Sequence, residues 1–502
     1  MSNLASPLGF IGAGAYSLLL ARPREVRLSV SWLLGFVLFL SFLHWMPDAA
    51  VIYYRYYDLS FAAGSLAYVI VCGLAALQFV FVHWCARHLP DRFDCALALR
   101  IPIAWLVGEV LFYNPFPWFI GSLQLRFLPF SQTADLLGQP LVSFLVFWIM
   151  GLIVIAFSSP LARAKRVRLL AVALLILLIT SAYSSIRIWQ IHARSAVSES
   201  VAVAAIQGND PVLFEPTDEQ IDEKLRTYLN LSTTLSPMPD LIVWPEGAWL
   251  RPITNGTQKL PTNFGLSDRH LRRPLIFAGR LGFPNMNGSS WNYQTSSNIL
   301  QPDGDFAAGY KKRYTLPLAE DIPFREYFPW LTKIFGERYF LPGKEDLPLT
   351  VDLSKGPGGV RLRPPLTIAT LICYEDLIPD LFQQITRKYG ADFLLALTNE
   401  QWFGTSVASE QHALLAAWRA VENRRYLLRV TTTGQTILVD PTGSIVDRIP
   451  AFQPGVLSVP KLPLTQMLSL FTLLGLWPLR ILSCLILLII LRHLGTMPRR
   501  LR

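Results

Sequence analysis

Three stretches of the chain end in side chains suited to acyl chemistry. Leu366 to Glu375 reads LTIATLICYE, a short apolar run rich in Thr, Ile and Leu that breaks off at Cys373-Tyr374-Glu375. Such a run reads as a buried strand. The chain then turns at Pro379 into the helix-like DLFQQITRKYG. A cysteine at that strand end sits where enzymes often place nucleophiles. Taken alone, a buried structural cysteine is the commoner explanation. DLIVWPEG puts Glu246 after a second apolar strand. A partly desolvated carboxylate there has a raised pKa and suits a general base. GYKKRYTLPLAE puts Lys311 and Lys312 after a third strand, with Glu320 eight residues beyond Lys312. Singly, a strand-ending Glu is often a helix cap and a Lys pair is usually a solvated turn. Together at one sheet edge they make a mechanism. Glu246 takes the thiol proton, the Cys373 thiolate attacks an acyl carbonyl, and a Lys cation with a backbone N–H steadies the oxyanion. A thioester results, and a second nucleophile resolves it.

The elements that position these groups come from composition. The chain has 502 residues, 52% hydrophobic and 16% charged, against about a quarter charged in soluble domains. The long uncharged runs lie before residue 190 and after residue 465, so the chain reads as a membrane protein carrying one large soluble domain. Its net charge of +10 does not argue for nucleic acid, because the basic residues cluster beside apolar segments. Of Cys72, Cys85, Cys95, Cys373 and Cys484, Cys373 alone falls in the soluble part. No Cys/His spacing suits zinc, so neither a metal nor another cofactor is expected. A cleavable signal peptide is not expected either.

Seven membrane segments are expected, at 8–21, 28–46, 60–85, 98–113, 137–158, 168–186 and 467–491. Alternate loops are basic: Arg22, Arg24 and Arg27; Arg87, His88, Arg92 and Arg100; Arg163, Lys165, Arg166 and Arg168; Arg492, Arg499, Arg500 and Arg502. The positive-inside rule makes these loops cytoplasmic, so the soluble domain faces outward. The aromatic, Pro-broken loop 114–135 reads either as an interfacial or re-entrant segment beside an active-site mouth, or as an aromatic belt anchoring two spans.

From Val201 strands alternate with amphipathic helices. VAVAAIQG, DLIVWPE, PLIFAGR and ADFLLALTN read as strands; DEQIDEKLRTYLNLSTTL and SEQHALLAAWRAVENRR read as helices. A hairpin is expected around Asp303-Gly304 and a closing one at Gly434. The alternation implies an α/β sandwich with helices outside its sheets. The expected domains are a membrane domain at 1–190, a catalytic domain at 195–465, and a last span with a basic tail at 466–502.

The three groups resemble the Glu-Lys-Cys triad of the nitrilase superfamily. With flanking spans, the chain looks like a member of the apolipoprotein N-acyltransferase family, which acylates the amino-terminal cysteine of bacterial lipoproteins. The family's Trp-Pro-Glu is Trp244-Pro245-Glu246. Its Tyr-x-Lys-x-x-Leu-Val-Pro-Phe-Gly-Glu is matched by Tyr310 to Glu320, which selects Lys312 over Lys311. Its Cys-Tyr-Glu is Cys373-Tyr374-Glu375, and its Asn-Asp-x-Trp-Phe-Gly is Asn399-Glu400-Gln401-Trp402-Phe403-Gly404. Gln411-His412, Arg419-Ala420-Val421-Glu422 and Leu428-Arg429 match a later helix and strand, and Phe116-Pro117-Trp118 matches a membrane loop. Departures are Pro317-Leu318-Ala319-Glu320 for Pro-Phe-Gly-Glu, Thr432-Thr433-Gly434 for Asn-Asn-Gly, and Ser296-Ser297 for Tyr-Asn. Most members have eight spans, one more than is counted here.

The resemblance implies a nitrilase-like αββα sandwich beside an α-helical multi-span domain. It implies that Cys373 takes an acyl chain from a membrane phospholipid, and that the α-amine of a diacylglyceryl lipoprotein then attacks the thioester. It places the enzyme in the bacterial inner membrane with the catalytic domain on the periplasmic side. Trp402, Phe403 and Trp118 would line an apolar mouth, or else pack the domain onto the bilayer. Tyr374 and Glu375 would orient the triad or the amine. Glu320 would order Lys312, or pair with Arg313. A membrane-tethered amidase using the same triad is the competing enzyme. A scaffold or transporter would need charges within the spans, of which the sequence shows almost none.

Overall fold

A computed structural model describes residues 5–57, 61–90, 98–114, 116–213, 215–266, 270–284, 291–316, 320–321, 327–330, 340–354 and 365–496. Arg92, Cys95, Pro317-Leu318-Ala319, Arg499, Arg500 and Arg502 lie outside the described residues. The chain packs as two compact units. One comprises Met1–Pro47, Ala62–His192 and Ser469–Arg502; the other comprises Asp48–Phe61 and Ala193–Leu468.

The first unit is helical. Helices occupy most of each apolar stretch expected to span, but 467–491 is split at Gly475, φ +59°, into Leu470–Leu474 and Trp477–Thr496. Gly64–His88, Gln139–Ser158, Arg163–Val197 and Trp477–Thr496 are long and apolar enough to cross a membrane, and Leu8–Leu20 and Leu28–Phe42 are shorter apolar helices. The helix Arg100–Leu111 falls short of the expected segment 98–113. Its 12 residues rise about 18 Å at 1.5 Å each, less than the ~30 Å hydrocarbon core. Helices in lipid associate by close packing, here through aromatic rings. Trp105 stacks on Phe147 at 4.2 Å and Tyr16 meets Phe79 edge-on at 5.0 Å.

The aromatic loop folds back among these helices through a short 3-10 turn, Ile120–Gln124. Glu109, a buried carboxylate that the sequence reading passed over, explains how. Its Oε1 accepts from the Ile120 N–H at 2.8 Å and from the Ser143 hydroxyl at 3.0 Å. Ser143 in turn accepts from the Gly121 N–H at 2.9 Å. The carboxylate is thus spent on holding a loop, not on a transport path. Glu109→Ala leaves a buried N–H and hydroxyl unpaired, at a cost of about 1–3 kcal/mol. The expected result is a lower melting temperature in detergent for Glu109→Ala, and a near-native one for Glu109→Gln, whose amide oxygen still accepts both bonds.

The second unit is two face-to-face β-sheets. One has the order β13 (Gly455–Pro463), β1 (Ser200–Gln207), β2 (Leu241–Glu246), β4 (Leu275–Pro284), β5 (Trp291–Leu300) and β6 (Phe306–Lys311), with β3 (Ile253–Thr254) pairing β4; the other has the order β12 (Ile445–Arg448), β11 (Ile437–Val439), β10 (Leu427–Thr431), β9 (Phe393–Thr398), β8 (Leu366–Ile372) and β7 (Leu349–Val351). In the first, β1 (Ser200–Gln207), β2 (Leu241–Glu246) and β4 (Leu275–Pro284) are parallel, while β5 (Trp291–Leu300) and β6 (Phe306–Lys311) return antiparallel. In the second, β8 (Leu366–Ile372), β9 (Phe393–Thr398) and β10 (Leu427–Thr431) are parallel. The strands read from sequence lie where expected, and both hairpins form. The strand β13 (Gly455–Pro463), which pairs antiparallel with β1, was not read. Its apolar residues alternate with Lys and Pro, so no continuous hydrophobic run marks it.

Helices cover both outer faces, giving an αββα sandwich. The helix Asp218–Thr233 starts at a capping box in which Thr217 and Gln220 satisfy each other's backbone N–H groups. It packs on a core of Tyr228, Trp244, Trp249, Phe264 and Phe277. Trp244 Nε1 donates to Ser232 Oγ at 2.8 Å, so the tryptophan of Trp-Pro-Glu is a fully paired core residue that fixes the end of β2. On the other sheet, Pro379–Tyr389 and Ala408–Asn423 form the outer layer; the former ends at Gly390 with φ +66°. The carboxyl ends of β2, β6, β8 and β9 carry Glu246, Lys312, Cys373 and Asn399 respectively, the position at which open α/β sheets place ligands.

Candidate active site

After β8 the chain enters the 3-10 turn Cys373–Leu377. Cys373 has φ +55°, a left-handed conformation that costs a non-glycine residue of order 1–3 kcal/mol. Glu375 holds this turn. Its Oε2 accepts from the Ile372 N–H at 3.1 Å. Its Oε1 accepts from the Tyr310 hydroxyl at 2.7 Å and from the Arg313 and Tyr314 N–H groups at 2.7 and 3.0 Å. One carboxyl therefore ties the Cys373 turn to the strand end that carries Lys312. Burial lifts the Glu375 pKa to about 7, against the hydrogen bonds it accepts. Tyr374 is buried beside it.

The Cys373 thiol is pushed well above its ordinary pKa, chiefly by burial and then by Glu246, with Lys312 opposing. A neutral thiol needs a base, and Glu246 is within hydrogen-bonding reach of it. Burial raises the Glu246 pKa and Lys312 opposes that rise. Glu246 Oε2 also accepts from the Asn399 N–H at 3.2 Å. The chain passes Asn399 closely at Gly247, φ +82°, where a Cβ would lie 2.8 Å from the Asn399 amide nitrogen.

Lys312 is 2% exposed and lies between two carboxylates, 2.6 Å from Glu320 Oε1 and 3.7 Å from Glu246 Oε1. Burial alone would lower its pKa, but Glu320 and Glu246 outweigh burial and the direction is up, so it is a fixed cation. Lys311 points to the opposite face of the strand, its ammonium 5.4 Å from the Phe283 ring centroid. Alternation along β6 is thus the physical reason that Lys312, not Lys311, meets the other two groups. Glu320 bonds Lys312, while Arg313 pairs with Asp346.

Trp402 and Phe403 sit half-buried in the 3-10 turn Gln401–Phe403, directly after Asn399 and Glu400. The Phe403 ring meets His412 edge-on at 6.2 Å. Trp118 belongs to the helical unit, where it stacks on Phe79 at 6.3 Å and meets Phe39 edge-on at 5.1 Å. Among the described residues no group of three His, Cys, Asp or Glu is arranged to hold a metal ion.

Behind Glu246, Lys312 and Cys373 lies a buried ionic cluster to which the sequence assigns no role, although Glu400, His412 and Arg429 fall at motif positions. Asp376 Oδ1 lies 2.6 Å from His412 Nε2, and Asp376 Oδ2 accepts from Arg429 Nε at 3.1 Å. Glu400 Oε1 accepts from Arg429 Nη2 at 2.6 Å and lies 3.4 Å from His412 Nδ1. Glu400 Oε2 bonds the Ser409 hydroxyl and accepts from the Gln435 N–H at 3.0 Å. A Cβ at position 434 would collide with that carboxylate, so Gly434 is required there. The available signal was ionisable residues inside otherwise apolar helix and strand patterns.

Residues 3–152 match the apolipoprotein N-acyltransferase N-terminal domain family, and residues 270–464 match the carbon-nitrogen hydrolase family. The chain is similar to apolipoprotein N-acyltransferases from several bacteria. It is 28% identical to that of Geobacter metallireducens over 483 residues, 90% of this chain and 84% of the relative. It is 30% identical to that of Shewanella oneidensis over 396 residues, 77% and 70% of the two chains. It is 30% identical to that of Pseudomonas putida over 419 residues, 81% and 76% of the two chains. Helical membrane unit, αββα sandwich and strand-end Glu, Lys and Cys occur together in a chain that these relatives match along most of its length, and the chain belongs to the apolipoprotein N-acyltransferase family.

Proposed function

We propose that this chain transfers a fatty acyl group from a membrane phospholipid, through a thioester on Cys373, to the α-amine of the diacylglyceryl-cysteine that begins a bacterial lipoprotein. The observation that carries the reading is the Cys373 thiol within hydrogen-bonding reach of Glu246, with the Lys312 ammonium 3.7 Å from that carboxylate. Glu246 accepts the thiol proton as sulfur attacks the ester carbonyl, and Lys312 stabilises the oxyanion. Collapse breaks the ester C–O bond; the lysophospholipid alkoxide leaves with the proton returned by Glu246. The amine then gives a proton to Glu246 and attacks the thioester. The C–S bond breaks, and the thiolate recovers the proton. Glu375 and Glu320 hold the reacting groups in place. Trp402 and Phe403 supply apolar surface to keep water from the thioester.

Both substrates are lipids confined to a membrane, which raises their effective concentration for a two-step transfer. The alternating basic loops support placing the enzyme in the inner membrane with its catalytic unit on the periplasmic side. The domain limits that go with this reading are 1–190, 195–465 and 466–502. The test is mass spectrometry of the purified full-length protein after incubation with phospholipid vesicles alone. A gain of one acyl chain on the Cys373 peptide, cleared by a diacylated lipopeptide, is the expected result. Turnover of small amides with no adduct from any phospholipid would overturn the reading in favour of an amidase.

A further inference from the structure

We propose that Asp376, Glu400, His412 and Arg429 act as one charge-balanced positioning unit, with His412 as a cation, that holds the Cys373 turn and the Asn399 amide in register. The proposal rests on Cys373 as the nucleophile and Glu246 as its base.

The geometry carries it. Asp376 is three residues past Cys373 in the same 3-10 turn. Glu400 follows Asn399, whose N–H holds the Glu246 carboxylate at 3.2 Å. The two segments come from the ends of β8 and β9, and Arg429 and His412 bridge them. Arg429 bonds both carboxylates, at 3.1 and 2.6 Å, and His412 reaches both with its two ring nitrogens, at 2.6 and 3.4 Å. The nucleophile turn and the base's anchor are thus fastened to one another through this cluster. Asp376, Glu400 and Arg429 are fully buried and His412 is 7% exposed.

Charge decides the state of the imidazole. Two carboxylates facing Arg429 alone would leave one net negative charge buried, which is costly. Protonated His412 makes two negative and two positive charges. A doubly protonated ring also donates from both nitrogens to the two carboxylates, whereas a neutral ring leaves one nitrogen as an acceptor facing an acceptor. The other ionisable groups of the elements packed around His412 do not supply the missing charge. Arg419 and Glu422 pair with each other at 3.1 Å farther along the same helix, and Asp380, on the neighbouring helix, adds negative charge near Arg419. The strand β11 (Ile437–Val439) brings no charge. Burial pulls the His412 pKa down, but Asp376 opposes it and the direction is up, while Arg429 and His412 hold Glu400 down at about 2. A raised histidine pKa contributes stability that is complete below about 6.5 and is lost as pH rises through the folded-state value. The unit therefore loosens on the alkaline side.

The test reads Cys373 reactivity without lipid, so it stands apart from the acyl-transfer reading. Full-length protein in detergent is alkylated with N-ethylmaleimide from pH 6 to 9.5, and the rate at the Cys373 peptide is followed by mass spectrometry. H412Q keeps a hydrogen-bonding side chain but cannot carry the charge. The expected result is at least a tenfold change in rate relative to wild type at pH 7, shrinking as pH rises and the wild-type imidazole itself becomes neutral. The double variant H412Q/D376N, neutral again, is expected to return to within about threefold of wild type. Equal rates, or a wild-type to H412Q ratio that stays constant with pH, would overturn the proposal. Should H412Q not fold, the double variant decides: a folded, reactive protein supports charge balance, and an unfolded one contradicts it.

Discussion

Cys373→Ser is expected to abolish the acyl adduct and to lower transfer by at least about 10⁴-fold, the scale seen when a nucleophile that works as a unit with its base is removed. The reason is the mismatch in acidity. Desolvation raises the Glu246 pKa, which brings it nearer to a thiol but leaves it far below a serine hydroxyl. Serine is close in size to cysteine, and the left-handed turn at Cys373 is held by Glu375 through four hydrogen bonds rather than by the sulfur. The variant should therefore melt within a few degrees of wild type. Adduct formation with phospholipid, lipopeptide acylation and the melting temperature are measured on the same preparation. Residual transfer of more than about one part in a hundred would remove Cys373 from the chemistry.

Lys312→Met is expected to cost about 10²–10³-fold in the rate of adduct formation, the usual effect of losing a charge aimed at a developing oxyanion. It should also displace the pH profile. Lys312 is the main influence holding the Glu246 pKa down against burial, and without it that pKa climbs further. The base works only as a carboxylate, so activity is lost as pH falls through its pKa. In the variant this acid limb moves to higher pH. Glu246 and Glu320 are 14% and 18% exposed, so water reaches both. The stability loss should then fall below the 3–5 kcal/mol expected for a wholly buried unpaired charge. Single-turnover adduct formation between pH 5 and 9 separates the two effects. An unchanged acid limb would show that Lys312 does not govern the base.

The two variants differ in how much of their rationale can be read along the chain. Cys373 and Glu246 each end an apolar run, and a strand that is buried on both faces has to be apolar along its whole length. The β9 run Phe393–Thr398, buried at every position, shows the same rule. Lys312 is less plain, since Lys311 beside it has the same chemistry. Resemblance to a family motif selected it, and the two-residue repeat of β6 supplies the physical cause.

What the sequence determined by itself was periodicity and punctuation. It determined which stretches are apolar enough for lipid, where strands alternate with amphipathic helices, and where a reactive side chain interrupts a buried run. These depend on local spacing alone. The tertiary structure decided what meets what across the fold. Glu375 meets Tyr310 65 positions away, and Glu246 meets Asn399 153 positions away. Neither pairing leaves a trace in local composition. The same holds for Glu109, which a hydropathy average dilutes among its apolar neighbours. It holds for β13, whose residues look like a tail until β1 lies beside them. It holds most strongly for the cluster of Asp376, Glu400, His412 and Arg429. A buried charge is tolerable only beside its counter-charge, and those counter-charges come from four separate segments that only the completed sandwich brings together.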